Sequence, residues 1–382
     1  MLMTNARALI GHEFCDGVHI RIADDRFTEI SLTEPLEPHP GEASIDVSGF
    51  VLAPGFVDIH IHGYGGCDTM NGLNHIRSMS AALPKHGVTA FLPTTMADSI
   101  PRTRAALAAA HQLMGNEDDS CARVIGCHLE GPFLHESRKG AQPAQFLIHG
   151  TMDNFLAIAK GHEDAVKLMT VAPDVPMVIE LIEDLGRKFN FSLGHTSASA
   201  DLMLCAAAAG ASQVTHMFNA MTPFNHRNPG PIGAALATPQ LGVQLIADLV
   251  HVHPVALTAA YRAKGPDRCY LITDAMEATG MPDGQYMLGV NHVTVEDGRA
   301  TLSDGTIAGS TLTLDVAVGN MIAEADVPPA HALYMASTAP ANAIGAMDHG
   351  RIAAGAFADF LLLDESFRPR KVFIGGHLVH ST

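Results

Sequence analysis

The chain has 382 residues, 47% of them hydrophobic and only 16% charged, enough for one large barrel plus a smaller unit at roughly 150 residues per domain. Its 23 Lys and Arg face 40 Asp and Glu, a formal net charge of −17, which excludes partners that need a basic surface, such as nucleic acid or an anionic membrane. It holds 22 histidines and no tryptophan, and histidine is both the commonest metal ligand and the usual proton shuttle near neutral pH.

Residues 1–10 show no basic start followed by an apolar stretch and a cleavage site, so no signal peptide is expected. No apolar run reaches the ~18 residues of a membrane span. Short apolar segments at 8–10, 18–22 and 45–47, set between Gly, Asp and Pro clusters, read as strands joined by turns. Segments at 358–364, 371–374 and 377–379, around a Gly375-Gly376 turn, read the same way. Two β-rich ends flanking a long middle predict one small β-sandwich domain built from 1–52 together with 348–382. The six cysteines, at 15, 67, 121, 127, 205 and 269, form no C-x-x-C pair. Reduced thiols in a cytoplasmic protein are expected, and Cys67 and Cys127 are given no role.

The middle, 53–347, has a different rhythm. Apolar, β-branched runs at 55–62, 87–94, 124–130, 167–172, 190–195, 212–216, 242–247 and 269–274 alternate with Ala- and Leu-rich helical stretches. Alternation of this kind predicts a parallel sheet, and eight such units over roughly 250 residues predict a (β/α)8 barrel rather than an open doubly wound sheet.

Ionisable side chains fall at the ends of these runs. His60 and His62 close the first, Glu130 the third, His195 the fifth, His216 the sixth and Asp274 the eighth. In a barrel those ends, and the loops after them, build the active site. His60 and His62 are two apart on a strand and so point to one side. A mixed set of imidazoles and carboxylates suits Zn²⁺ or Fe²⁺ better than Mg²⁺ or Ca²⁺, which prefer oxygen shells. His128, lower on the third run, is read as a core or supporting residue.

The string Pro54-Gly55-Phe56-Val57-Asp58-Ile59-His60-Ile61-His62-Gly63 resembles the opening strand of the amidohydrolase superfamily. His128-Leu129-Glu130-Gly131-Pro132, Gly194-His195-Thr196, Thr215-His216-Met217-Phe218-Asn219-Ala220-Met221 and Thr273-Asp274-Ala275-Met276 resemble, more narrowly, the N-acetylglucosamine-6-phosphate deacetylase family. The resemblance implies that Glu130, His195 and His216 hold the main metal. His60 and His62 complete a second site in it, with Glu130 between them, so that one or two divalent ions, Zn²⁺ foremost, are expected. Rival branches bridge their metals with a lysine at the end of the fourth strand, where this chain reads Thr170-Val171-Ala172.

The activity implied is hydrolysis of the N-acetyl amide of N-acetylglucosamine 6-phosphate to glucosamine 6-phosphate and acetate. Metal-bound hydroxide would attack, with Asp274 as general base and then general acid. Arg227 and His251 match the family's phosphate contacts, and in relatives one of these comes from the neighbouring subunit, which implies a homodimer. Asn219, Ala220 and the Ala308-Gly309-Ser310 turn are expected to line the sugar pocket. The family's usual histidine in a K-G-A-H string is Gln142 here, an amide that donates hydrogen bonds but carries no charge. That departure keeps open a galacto epimer or an unphosphorylated amino sugar as substrate. A non-catalytic scaffold of the same fold is the weaker rival, because all six strand-end positions are filled.

Overall fold

The computed structural model describes residues 1–115, 118 and 120–382. Eight parallel strands form the middle: β1 Phe56–Ile61, β2 Val88–Thr95, β3 Cys127–Glu130, β4 Val166–Val171, β5 Asn190–Leu193, β6 Gln213–Val214, β7 Gly242–Ile246 and β8 Cys269–Ile272. They follow one another in space in chain order. The ring closes where Asp274 N–H donates to the His60 carbonyl at 2.9 Å and Ile61 bridges Ala275 in parallel. Helices intervene as the Ala-rich stretches predict. Ala200–Ala209 starts at Ser199, whose hydroxyl accepts from Leu202 N–H at 3.2 Å, and stops at Gly210 at φ 132°, since only glycine takes that conformation without strain.

The barrel strands are buried on both faces. Val57, Ile59 and Ile61 of β1 join the apolar cluster, while Asp58 and His60 alternate with them and bond across the barrel interior. That interior is unusually polar. The His128 ring nitrogen Nε2 lies 2.8 Å from the Thr170 hydroxyl, which lies 2.7 Å from that of Thr215, and Thr215 donates to Ser192 at 2.6 Å. His128 is fully buried, and burial holds its imidazole far below its ordinary pKa. It is therefore a neutral member of this network, in line with a supporting role.

The two chain ends build one unit, hydrogen-bonded as a single eight-stranded sheet that includes Leu2–Ile10, Val51–Pro54 and Phe360–Leu363. Alternation divides its side chains cleanly. Ala8, Leu52, Phe360 and Leu362 enclose a small core of their own, whereas Leu9, Val51, Ala53, Leu361 and Leu363 face the barrel's apolar cluster. A three-stranded sheet that the chain's patterning does not predict follows β8: Gly284–Leu288, Asn291–Glu296 and Arg299–Thr301. It stands over the C-terminal ends of the barrel strands, where Leu288 enters the cleft.

Candidate metal centre

Strand geometry aims the six ionisable groups at one point. His60 lies within β1, Glu130 ends β3, and His62, His195, His216 and Asp274 sit just beyond the ends of β1, β5, β6 and β8. His195, His216 and Asp274 all take left-handed backbone conformations, at φ 48°, 26° and 50°. Such conformations are costly for residues with a Cβ and cluster where function demands a particular side-chain direction. All six are buried, Asp274 the least so at 8% exposure.

Two triads result, one of His60, His62 and Asp274 and one of Glu130, His195 and His216, each with ligand atoms within 4.8 Å of one another. In the second, Glu130 Oε1 is 3.2 Å from both His195 Nε2 and His216 Nε2, which are 3.0 Å apart. In the first, Asp274 Oδ1 is 3.3 Å from His60 Nε2 and 3.2 Å from His62 Nε2. Glu130 joins them: its Oε1 lies 3.4 Å from His60 Nε2 and its Oε2 lies 3.3 Å from His62 Nε2.

The far sides of the rings fix which nitrogen carries the proton. His62 Nδ1 faces the Thr94 carbonyl at 3.2 Å and His195 Nδ1 faces the Arg138 carbonyl at 3.0 Å. A carbonyl only accepts, so both Nδ1 atoms donate, and in the neutral ring each Nε2 is left with a lone pair to offer a cation. For His60 the same conclusion comes through two amides. Gln213 Nε2 donates to the Ala343 carbonyl at 3.1 Å, which leaves Gln213 Oε1 to accept from Gln244 Nε2 at 3.2 Å. Gln244 Oε1 then accepts from His60 Nδ1 at 3.1 Å. This is the outer arrangement that orients metal-binding histidines.

The electrostatics ask for a cation. Burial pushes the Asp274 carboxyl up, but the His60 and His62 imidazoles outweigh it and hold it at about 2. Burial likewise opposes ionisation of Glu130, yet His60 and His195 hold it well below the carboxylate range. The reciprocal effect appears at His62: burial pushes it down, and the two carboxylates overcome that and raise it to about 10. Two buried anions thus draw positive charge onto the His62 ring that faces them. A divalent cation meets that demand better than a proton, and the nitrogen and carboxylate donors fit Zn²⁺ or Fe²⁺.

Five of the six groups, all but the deeper His60, form the floor of a cleft of about 370 Å³. Gln142, Asn219, Ala220, His251 and Gly309 line it as well. Gln142 is buried beneath the cleft and uses both ends of its amide on the protein, donating to Glu130 Oε2 at 2.5 Å and accepting from Ala97 N–H at 2.8 Å. His251 Nδ1 is tied to Asp248 Oδ2 at 2.6 Å. Ala308 and Ser310 turn away from the cleft. Ala308 is in an apolar cluster, and the Ser310 hydroxyl donates to the Thr273 carbonyl at 2.5 Å, bracing the end of β8. Arg227 is exposed, outside the lining of its own chain's cleft, with Nη1 2.9 Å from His226 Nε2. The patterning gives no notice of Thr94, Gln244 or Arg138, whose roles depend on neighbours distant in sequence. At the end of β4, Thr170 joins the hydroxyl network, and among the described residues no lysine lines the cleft.

Comparison with known proteins agrees with this geometry. The sequence profile of the amidohydrolase family matches residues 51–379. The N-acetylglucosamine-6-phosphate deacetylase of Bacillus subtilis (strain 168) is 36% identical over 368 residues, covering 95% of this chain and 93% of that protein. The N-acetylgalactosamine-6-phosphate deacetylase of Escherichia coli O157:H7 is 33% identical and covers 98% of each. Among solved structures, a variant of the Mycobacterium smegmatis N-acetyl-D-glucosamine-6-phosphate deacetylase in complex with N-acetyl-D-glucosamine-6-phosphate superposes with a TM-score of 0.91 at 31% identity, covering 99% of each chain. The superposition over nearly the whole of both chains shows that the barrel and the terminal sheet are shared with that structure. The chain belongs to the amidohydrolase family, as a metal-dependent hydrolase of its N-acetylglucosamine-6-phosphate deacetylase branch.

Proposed function

We propose that the chain hydrolyses the N-acetyl amide of N-acetylglucosamine 6-phosphate, releasing acetate and glucosamine 6-phosphate. The observation that carries the reading is the pair of triads, with lone pairs converging on the floor of a cleft of sugar size. Glu130, His195 and His216 would hold one divalent ion, and His60, His62 and Asp274 a second, Zn²⁺ or Fe²⁺. When bound, such an ion supplies Lewis acidity and brings the acidity of water close to neutral pH. Asp274 is anionic and reaches the cleft, so it takes a proton from the attacking water and returns it to the departing amine as the C–N bond breaks. Gln142 acts as a positioning residue, since its amide is spent on Glu130 and Ala97. Asn219, Ala220 and Gly309 face the sugar, and His251 is held by Asp248 toward the phosphate.

The active unit is a homodimer in this reading. Phe224, Leu249 and Val250, on the loops after β6 and β7, are 57%, 36% and 46% exposed, an apolar surface suited to a partner, and Arg227 on the first of these loops projects from the protomer to serve its neighbour. The apolar cluster of the terminal sheet draws only on 1–52 and 348–382, which supports those segments as one domain and 53–347 as the other. Six unpaired cysteines suit the reducing cytoplasm.

The test is acetate release by metal-loaded protein from N-acetylglucosamine 6-phosphate, its galacto epimer and the unphosphorylated sugar. Fastest turnover of the first supports the reading. Preference for the galacto epimer reassigns the sugar, and turnover of none of the three overturns the activity.

A further inference from the structure

A phosphorylated substrate brings a dianion into a chain that carries a large excess of acid, into a cleft whose floor already holds two carboxylates. The cleft must supply cationic groups away from that floor. Among the described residues that line it, Arg138 is the one lysine or arginine. It closes a short 3₁₀ turn, Glu136–Arg138, that follows β3 and is capped by His135. Its Nη2 donates to the Thr222 hydroxyl at 3.4 Å, which steadies the guanidinium beside the loop bearing Asn219 and Ala220. Its Nε is buried and has no hydrogen-bond partner. A buried cationic donor left without an acceptor costs free energy, and an anionic oxygen removes that cost. The fork of a guanidinium matches the geometry of phosphate oxygens.

We propose that Arg138 binds the phosphate of the substrate, so that this subsite has a cation of the same chain in addition to anything a neighbouring subunit contributes. The assignment rests on the reading that the substrate is a phosphorylated amino sugar. Arg138 is also joined to the metal centre through its backbone, because its carbonyl accepts the Nδ1 proton of His195 at 3.0 Å. The anion contact and the orientation of a metal-binding ring therefore come from one residue, by its side chain and its main chain respectively. A side-chain substitution removes the first and leaves the second in place.

The experiment compares wild type, Arg138→Gln and Arg138→Lys as metal-loaded enzymes. It reads acetate release from N-acetylglucosamine 6-phosphate and from N-acetylglucosamine, competitive inhibition by inorganic phosphate, and bound metal. Arg138→Gln is expected to lower kcat/KM for the phosphorylated sugar about ten- to a hundredfold, the range for loss of a charged hydrogen bond, with most of the change in KM. Turnover of the unphosphorylated sugar and metal content stay at the wild-type level, phosphate inhibits more weakly, and Arg138→Lys recovers part of the loss. Equal losses on both sugars, or loss of metal, would show that Arg138 acts only as a support for His195 and would overturn the proposal. So would an Arg138→Gln enzyme that keeps the wild-type preference and phosphate inhibition. A wild type with no preference for the phosphorylated sugar overturns the underlying reading itself, and is told apart from the other outcomes because it needs no variant.

Discussion

The terminal sheet and the mouth of the barrel are built on the same two-residue alternation and use it in opposite ways. In the inner strands of the sheet, Val51–Pro54 and Phe360–Leu363, both sets of alternating side chains are apolar, one facing the small core and the other the barrel. In the barrel one set is apolar, and the other carries His60, Glu130, Thr170, Gln213 and Gln244 inward. The sheet therefore gains from burial, at roughly 25 cal/mol per Å² of apolar surface. The barrel mouth bears a desolvation cost that its hydrogen-bond chains offset and that a bound cation would offset further. Stability and chemistry are thereby separated in space, and substitutions in the two regions should fail in different ways.

The largest effect is expected at the mouth. Asp274→Asn keeps the shape of the side chain and removes the proton acceptor, so acetate release should fall by about 10²–10⁴-fold while metal at Glu130, His195 and His216 persists. Substantial residual turnover would remove Asp274 from proton transfer. In the sheet, Phe360→Ala empties a fully buried site and should cost about 3–5 kcal/mol in urea or thermal unfolding, with kcat of the folded protein unchanged. A matching fall in kcat would show that the two regions are coupled after all.

Intermediate between them is Gln244→Leu, which removes the group that fixes the proton on His60 Nδ1. The expected result is a loss of about 10–100-fold in metal affinity, read by competition with a chelator, and little change in overall secondary structure. The smallest effect concerns His349, at the seam between sheet and barrel, whose pKa burial lowers to about 4. An unfolded histidine titrates near 6.5, so the unfolded chain takes up a proton below that pH while the folded one does not. Stability should thus decline as pH falls from about 6.5 to about 4, by at most about 2–3 kcal/mol. His349→Gln should flatten that part of the profile relative to wild type, and identical profiles would contradict the assignment.

The strand-end residues were legible in the sequence because each interrupts or ends an apolar run, and a barrel brings such ends together whatever lies between them. Short apolar segments between turn clusters at both ends of the chain likewise pointed to a shared β unit. What sequence could not show is which groups support the ligands. Gln244 sits inside a run that reads as an ordinary buried strand, and only closure of the barrel places its amide against His60. Gln142 marks a departure from a family string, yet its contacts with Glu130 and Ala97 depend on how the loop after β3 folds back. Arg138 supplies a backbone carbonyl to His195, a role to which side-chain identity is silent. The sheet at 284–301 is short and rich in turns, and its strands pair with one another rather than with the barrel, so no periodicity links it to the cleft.

The central claim is that six buried groups form a divalent-metal centre for hydrolysis. It is tested most directly by measuring metal per chain in purified wild type and in Glu130→Gln, the residue that touches both triads, alongside acetate release. The account predicts one or two tightly held divalent ions in wild type, their loss in Glu130→Gln, and loss of turnover in parallel. A folded wild type that binds no divalent ion, or one whose deacetylation persists after the metal has been stripped, would contradict it.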